Sequence, residues 1–110
     1  MPKIERDVFS AINDPTRREI LSLLSGGAQP VSALSEHFRI SRPAVSKHLR
    51  VLRELGLVQE KRRGRERVYS LSATPLQEVK MWIAQFDRHW ALKLKNVKLR
   101  SQRESDDPHA

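Results

Sequence analysis

Cysteine is absent from the chain, which excludes disulfides, thiolate metal centres and thiol redox sensing. Glycine is scarce too, and its four copies form no phosphate-cradling loop. No stretch comes near the roughly 18 apolar residues needed to cross a bilayer, and Met1-Pro2-Lys3-Ile4-Glu5-Arg6-Asp7 lacks the apolar centre of a signal peptide. A cytoplasmic chain with no membrane partner is expected. Aromatic residues reach only 5%, and Tyr69 alone lies near the basic part of the chain, so single-stranded bases would find little to stack on. No nucleophile has a histidine and an acid near it, and no carboxylate pair lies in an apolar setting, so nothing points to an enzyme. Acids are outnumbered, 13 against 21 lysines and arginines, giving +8 over 110 residues, a length suited to one domain.

That excess is concentrated. Residues 1–40 carry five bases and five acids, residues 41–67 nine bases and three acids, and residues 68–110 seven bases and five acids. Three quarters of the net charge thus lies in a quarter of the chain. So confined a block suits an anion-binding surface, and nucleic acid is the commonest polyanion.

Ile4, Val8, Phe9, Ala11 and Ile12 form a helical stripe that ends at Asn13. Asp14-Pro15-Thr16 restarts a helix, with Asp14 as N-cap and Pro15 where its missing donor costs nothing. Ile20, Leu21, Leu23 and Leu24 give that helix its apolar face, and Gly26-Gly27 ends it. A short helix from about Val31 to Phe38 follows, then a tight connection at Arg39-Ile40. Ser41 can cap a fourth helix that runs through Leu55 to Gly56, a residue suited to the left-handed position after a helix. Val45, Leu49 and Leu52 make its core stripe, leaving Arg42, Pro43, Ser46, Lys47 and Arg50 outward. Leu57-Val58 and Val68-Tyr69-Ser70-Leu71 read as two strands around Gly64, a hairpin with Lys61, Arg62, Arg63, Arg65 and Arg67 near its tip. Thr74-Pro75 opens the longest periodic segment. Leu76, Val79, Ile83, Phe86, Trp90, Leu94 and Val97 advance by threes and fours, which predicts one helix to about Leu99, roughly 37 Å long. The domain is expected over residues 1–100, with residues 101–110 a disordered tail lacking apolar residues to bury.

A short helix, a tight turn and a helix with a Ser/Arg/Pro/Lys outer face match a helix-turn-helix, whose second helix enters the major groove. Arg42 and Lys47 can donate to guanine O6 and N7, and Ser46 is short enough to let the helix approach closely. Ser41 can cap, reach a phosphate, or do both. His48 reads as a half-buried packing residue within reach of a phosphate. The hairpin then acts as a wing whose five bases neutralise phosphates, with Arg65 the choice for minor-groove insertion. The fold class is therefore mainly α with a small β-hairpin wing, a winged helix-turn-helix.

Asp14-Pro15-Thr16-Arg17-Arg18-Glu19-Ile20-Leu21, Ser41-Arg42-Pro43-Ala44-Val45-Ser46-Lys47-His48-Leu49-Arg50-Val51-Leu52 and Gly56-Leu57-Val58 together resemble ArsR-type winged-helix repressors. The resemblance covers residues 4 to about 99. It implies a bacterial or archaeal transcriptional repressor that works as a homodimer, pairing through its first and last helices. An over-long apolar helix agrees with that, since an exposed apolar strip usually marks an interface. The candidate pairing residues are Ile4, Val8, Ile83, Phe86, Trp90, Leu94 and Val97. Leu76, Val79 and Ile83 fit an intramolecular core equally well. Many relatives release DNA on binding metal. Here the helix at Val31–Phe38 has no sulfur, and Asp87-Arg88-His89 is followed by Arg100 and Arg103 where further zinc ligands would be wanted. The chain thus resembles the metal-independent branch: no metal, no cofactor and no evident small-molecule inducer.

Two other readings compete with a sequence-specific repressor of an inverted-repeat operator, a reading that includes autorepression. A catalytic role has no constellation behind it. A non-specific nucleoid-associated or RNA-binding basic protein would need only the wing, and the groove-facing helix combined with a pairing helix favours specific double-stranded DNA instead.

Overall fold

Over residues 7–95, which the computed structural model describes, the chain runs α1 (Val8–Ile12), α2 (Pro15–Leu24), β1 (Gln29–Pro30), α3 (Val31–Glu36), α4 (Arg42–Glu54), β2 (Val58–Arg63), β3 (Glu66–Leu71) and α5 (Leu76–Ala84). Residues 87–95 are helical again. The chain divides into two units between Val79 and Lys80. Ile4, Val97 and the expected tail 101–110 lie outside the described residues.

Helix starts follow the caps written in the sequence. Asp7 accepts from the Ser10 N–H at 2.9 Å while the Asp7 N–H donates to Ser10 Oγ at 3.0 Å, a reciprocal pair that opens α1. Asp14 opens α2 by accepting from the Arg17 N–H at 2.9 Å, and Ser41 opens α4 by accepting from the Ala44 N–H at 3.3 Å. Pro30 precedes α3 without a side-chain cap.

The first unit is built on the apolar faces of α2, α3 and α4. Ile20, Leu24, Leu34, Val45, Leu49, Leu52 and Leu57 are its largest fully buried side chains. Leu76 and Val79 pack against this cluster, which resolves two of the residues the sequence left between core and interface. Val8 departs from expectation: it is 4% exposed and belongs to the core, because the short α1 lies against α2 rather than offering Val8 to a partner.

Where α4 ends, the chain is turned by main-chain hydrogen bonds. The Gly56 N–H donates to Arg53 O at 3.0 Å and the Leu57 N–H to Leu52 O at 2.9 Å, with Gly56 at φ +74°. This is the paired closure of a helix end by a left-handed residue, with Leu57 seated in the core beside Leu52. The chain then enters β2 in a defined direction, and Gly64 at φ +62° begins the two-residue turn to β3.

Two expectations are corrected. The sheet has three strands in the order β1-β3-β2, not two: Gln29 pairs with Tyr69 and Pro30 with Val68. A two-residue strand containing proline carries no alternation to read, and its pairing is supplied by the far-off β3. The single long helix after Thr74 is also absent. Residues 74–75 form a turn, α5 starts at Leu76, and a turn at 85–86 interrupts the helix. There the Phe86 N–H reaches back only to Ile83 O at 3.0 Å, and the Gln85 side-chain amide donates to Trp82 O at 2.8 Å, so local bonds replace the regular ladder. No helix among the described residues is long and apolar enough to cross a membrane.

A Cβ added at Gly56 would meet only Pro75 Cγ at 3.8 Å, an ordinary contact. Gly56→Ala is therefore expected to lose about 1–2 kcal/mol through left-handed backbone strain alone. Urea unfolding checks this; a loss several times larger would reveal a steric clash instead.

Candidate nucleic-acid interface

Ser41, Arg42, Pro43, Lys47 and Arg50 are exposed on α4, with Ser46 half-buried. Pro43, Ser46, Lys47, Arg50 and Arg53 follow one another at helical spacing and form one wall of a cleft of about 360 Å³, whose other wall is Glu60, Arg67 and Tyr69 from the wing. Arg53, Glu60 and Tyr69 were not among the DNA-contact residues expected from sequence. Arg53 was within reach, standing three residues beyond Arg50 on the same helix face. Glu60 and Tyr69 needed the strand register, which sets them opposite each other.

That register also sorts the wing's charges. Side chains alternate across a strand, so Val58, Glu60 and Arg62 share a face with Leu71, Tyr69 and Arg67, while Gln59, Lys61 and Arg63 share the other with Ser70, Val68 and Glu66. The five expected wing bases are therefore not one patch: Arg62 and Arg67 lie on the cleft side, Lys61 and Arg63 on the reverse, and Arg65 in the turn. Arg67 is moreover engaged, with its Nε 3.6 Å from Glu60 Oε1. Burial, and then the adjacent Glu60 carboxylate, push the Tyr69 phenol above its ordinary range, so its hydroxyl remains a donor to Glu60 Oε2, at 3.2 Å. Among the described residues the ion pairs leave Arg42, Lys47, Lys61, Arg62, Arg63 and Arg65 without an acidic partner.

His48 does not face outward with its neighbours. Its Nδ1 stands 3.4 Å from Arg17 Nη1 and 3.8 Å from Asp14 Oδ2, on the flank of α4 turned toward the start of α2. His48 is half-buried there and helps pack the platform under α4, the packing position expected of it. Arg17 extends the platform, donating through Nε to Ala11 O at 2.8 Å and through Nη2 to Ser10 O at 3.1 Å, and Arg18 donates to Ile12 O at 2.6 Å. Two arginines thus satisfy the last carbonyls of α1. Burial of Asp14 opposes its ionisation, yet the N–H groups of Arg17 and Thr16 and the charges of His48 and Arg17 outweigh it and hold the carboxyl below its usual range.

Residues 14–60 match the bacterial regulatory proteins of the arsR family. The chain is 44% identical over 80 residues to the transcriptional repressor SdpR of Bacillus subtilis, covering 73% of this chain and 89% of that one. It is 36% identical over 99 residues to the HTH-type transcriptional regulator Rv2034 of Mycobacterium tuberculosis, covering 90% of each. The chain belongs to the arsR family. Its fold is likewise that of an ArsR-like transcriptional regulator from Rhodococcus sp. RHA1, with a TM-score of 0.61 and 34% identity over 84% of this chain and 87% of that one. The matched arsR segment opens at the Asp14 cap and closes at Glu60, so it contains the platform, α4 and the near edge of the cleft. Regulators of this family bind double-stranded DNA and are not enzymes, and this chain is a DNA-binding transcriptional repressor by family. Among the described residues no three His, Asp or Glu side chains gather where they could hold a metal ion.

Because the folded state binds a proton at Asp14 more weakly than the unfolded state does, ionised Asp14 stabilises the fold above the usual carboxylate pKa and stops doing so as pH falls through its lowered value. Asn keeps the cap but does not titrate. From about pH 5 downward the stability advantage of the native protein over Asp14→Asn should therefore shrink, as read by urea unfolding at each pH. A gap that widens in acid would contradict the assigned electrostatics.

Proposed function

We propose that this repressor is sequence-specific, acting in the cytoplasm as a two-fold homodimer that sets α4 of each protomer into consecutive major grooves of an inverted repeat and blocks transcription by occupancy. The observation that carries this reading is the cleft that sets the outward, basic face of α4 against one face of the wing. From the exposed face of α4, Arg42 and Lys47 read base edges. Ser41, Pro43, Ser46 and Arg50 fit the helix to the groove, and Lys61, Arg62, Arg63 and Arg65 neutralise phosphates, Arg65 from the turn reaching the minor groove, while the expected phosphate contact of Arg67 gives way to its pairing with Glu60. Pairing is supported by the second unit, where Trp82, Phe86 and Trp90 form a ladder with ring centroids 5.3 and 6.3 Å apart, and Trp90 and Leu94 remain 44% and 64% exposed. Ile83 is half-buried beside them. The reading contains no metal sensor, in keeping with a chain that has no thiolate to offer. DNA release by low zinc would reject that part.

Footprinting on the DNA upstream of the chain's own coding sequence, against a scrambled duplex, is the direct test: protection of an inverted repeat is expected, and equal affinity for both would leave a non-specific nucleoid protein. Arg42→Ala should lose about 1–3 kcal/mol on the protected site and flatten its preference, whereas Arg65→Ala should weaken all duplexes alike. Equal loss on scrambled DNA for Arg42→Ala would overturn that division. On a sizing column Trp90→Glu should elute as a monomer, and an unchanged volume would remove Trp90 from the pairing face.

A further inference from the structure

Three acids interrupt the basic segment 41–67, and each is held differently. Glu54 pairs with Arg50 one turn back on the α4 surface, at 3.2 Å, and Glu66 accepts from Ser32 Oγ at 2.9 Å on the face of the wing away from the cleft. Glu60 stands in the cleft wall itself, its side chain only 20% exposed, with both oxygens engaged. Oε2 takes an Arg53 guanidinium N–H and the Tyr69 hydroxyl, and Oε1 faces Arg67 Nε. Arg53 comes from α4, Arg67 and Tyr69 from β3, and Glu60 from β2. One carboxylate therefore ties the outward-facing helix to both strands of the wing.

A negative charge is an odd component for a surface that must receive phosphates, since it repels them and cancels cations that would otherwise attract them. It makes sense if those cations are to be withheld. An arginine free in the cleft would neutralise a phosphate of any duplex, adding affinity without information. The same arginine clamped by a carboxylate serves to hold the wing at one setting relative to α4, so that groove entry and wing contact are met together only on DNA of matching shape.

We propose that Glu60 is a positioning residue for DNA discrimination, an internal counter-ion that keeps Arg53 and Arg67 from acting as general phosphate contacts and fixes the wing against α4. This rests on the sequence-specific reading above and adds to it the residue that limits binding to other sequences.

The test measures affinity against salt concentration for two duplexes: one enriched by the native protein from a random-sequence pool, and a scrambled duplex of the same composition. Glu60→Gln is expected to bind the scrambled duplex about tenfold more tightly at moderate salt, and its log Kd against log salt should steepen by about 1–2, as expected for one or two freed arginines at roughly 0.9 each. The ratio of enriched to scrambled affinity should fall. Should Glu60→Gln fail to melt cooperatively, Glu60→Ala, which also removes the charge, must show the same steepening. Glu66→Gln removes an equal charge outside the cleft; if it steepens the salt dependence as much, net charge is the cause and the proposal is overturned. Weaker binding of Glu60→Gln to both duplexes with no change of slope would likewise overturn it, leaving Glu60 a purely structural brace. If the native protein enriches no sequence at all, the sequence-specific reading fails first; enrichment with an unaltered slope and ratio in Glu60→Gln removes only the proposal for Glu60.

Discussion

The constraint on which the first unit depends is that α4, thirteen residues long, must bury one face completely while its opposite face stays wet and basic. Val45, Leu49 and Leu52 are fully buried, each worth about 1.5–3 kcal/mol of transfer free energy at full burial. That anchor stabilises a helix whose outer surface is dominated by like charges and which would be marginal alone. The remaining elements supply what α4 needs: α2 and α3 offer the partner apolar faces, Ser41 closes its start, and the Gly56 turn closes its end and launches the wing.

Electrostatics then divides these bases into two populations. Arg17 and Arg18 spend their charge on the carbonyl ends of α1, and Arg53 and Arg67 on Glu60, where they hold elements together. Arg42, Lys47, Lys61, Arg62, Arg63 and Arg65 have no acidic partner among the described residues and make the surface attractive to a polyanion. A formal net charge of +8 does not separate these roles. What separates them is whether a carbonyl or carboxylate lies within reach.

Much of the fold was readable because its signals are local. The Asp14-Pro15 and Ser41-Arg42-Pro43 caps, the i, i+4, i+7 spacing of Val45, Leu49 and Leu52, and the two turn glycines each act within a few residues of themselves, and each appears where expected. The misreadings are of another kind. β1 exists because β3 offers it a partner, some forty residues away in sequence. An apolar stripe runs on through Gln85 and Phe86, but a stripe records which face is oily and not whether the hydrogen-bond ladder is unbroken, and here it is broken. Val8 shows the same limit from the opposite side, since a hydrophobic residue on a short helix looks alike whether its cover comes from its own chain or from another.

The site divides along the same line. By itself the sequence determined the helix-turn-helix, the outward Arg42, Lys47 and Arg50, and the basic hairpin, since periodicity and capping operate over one or two turns. Only the tertiary structure decided that His48 turns to Asp14 and Arg17, that the wing bases lie on two faces, and that Glu60 closes on Arg53, Arg67 and Tyr69. These outcomes depend on strand register and on the distance between groups from separate elements, and charge interactions fall off with distance through space, not with separation along the chain.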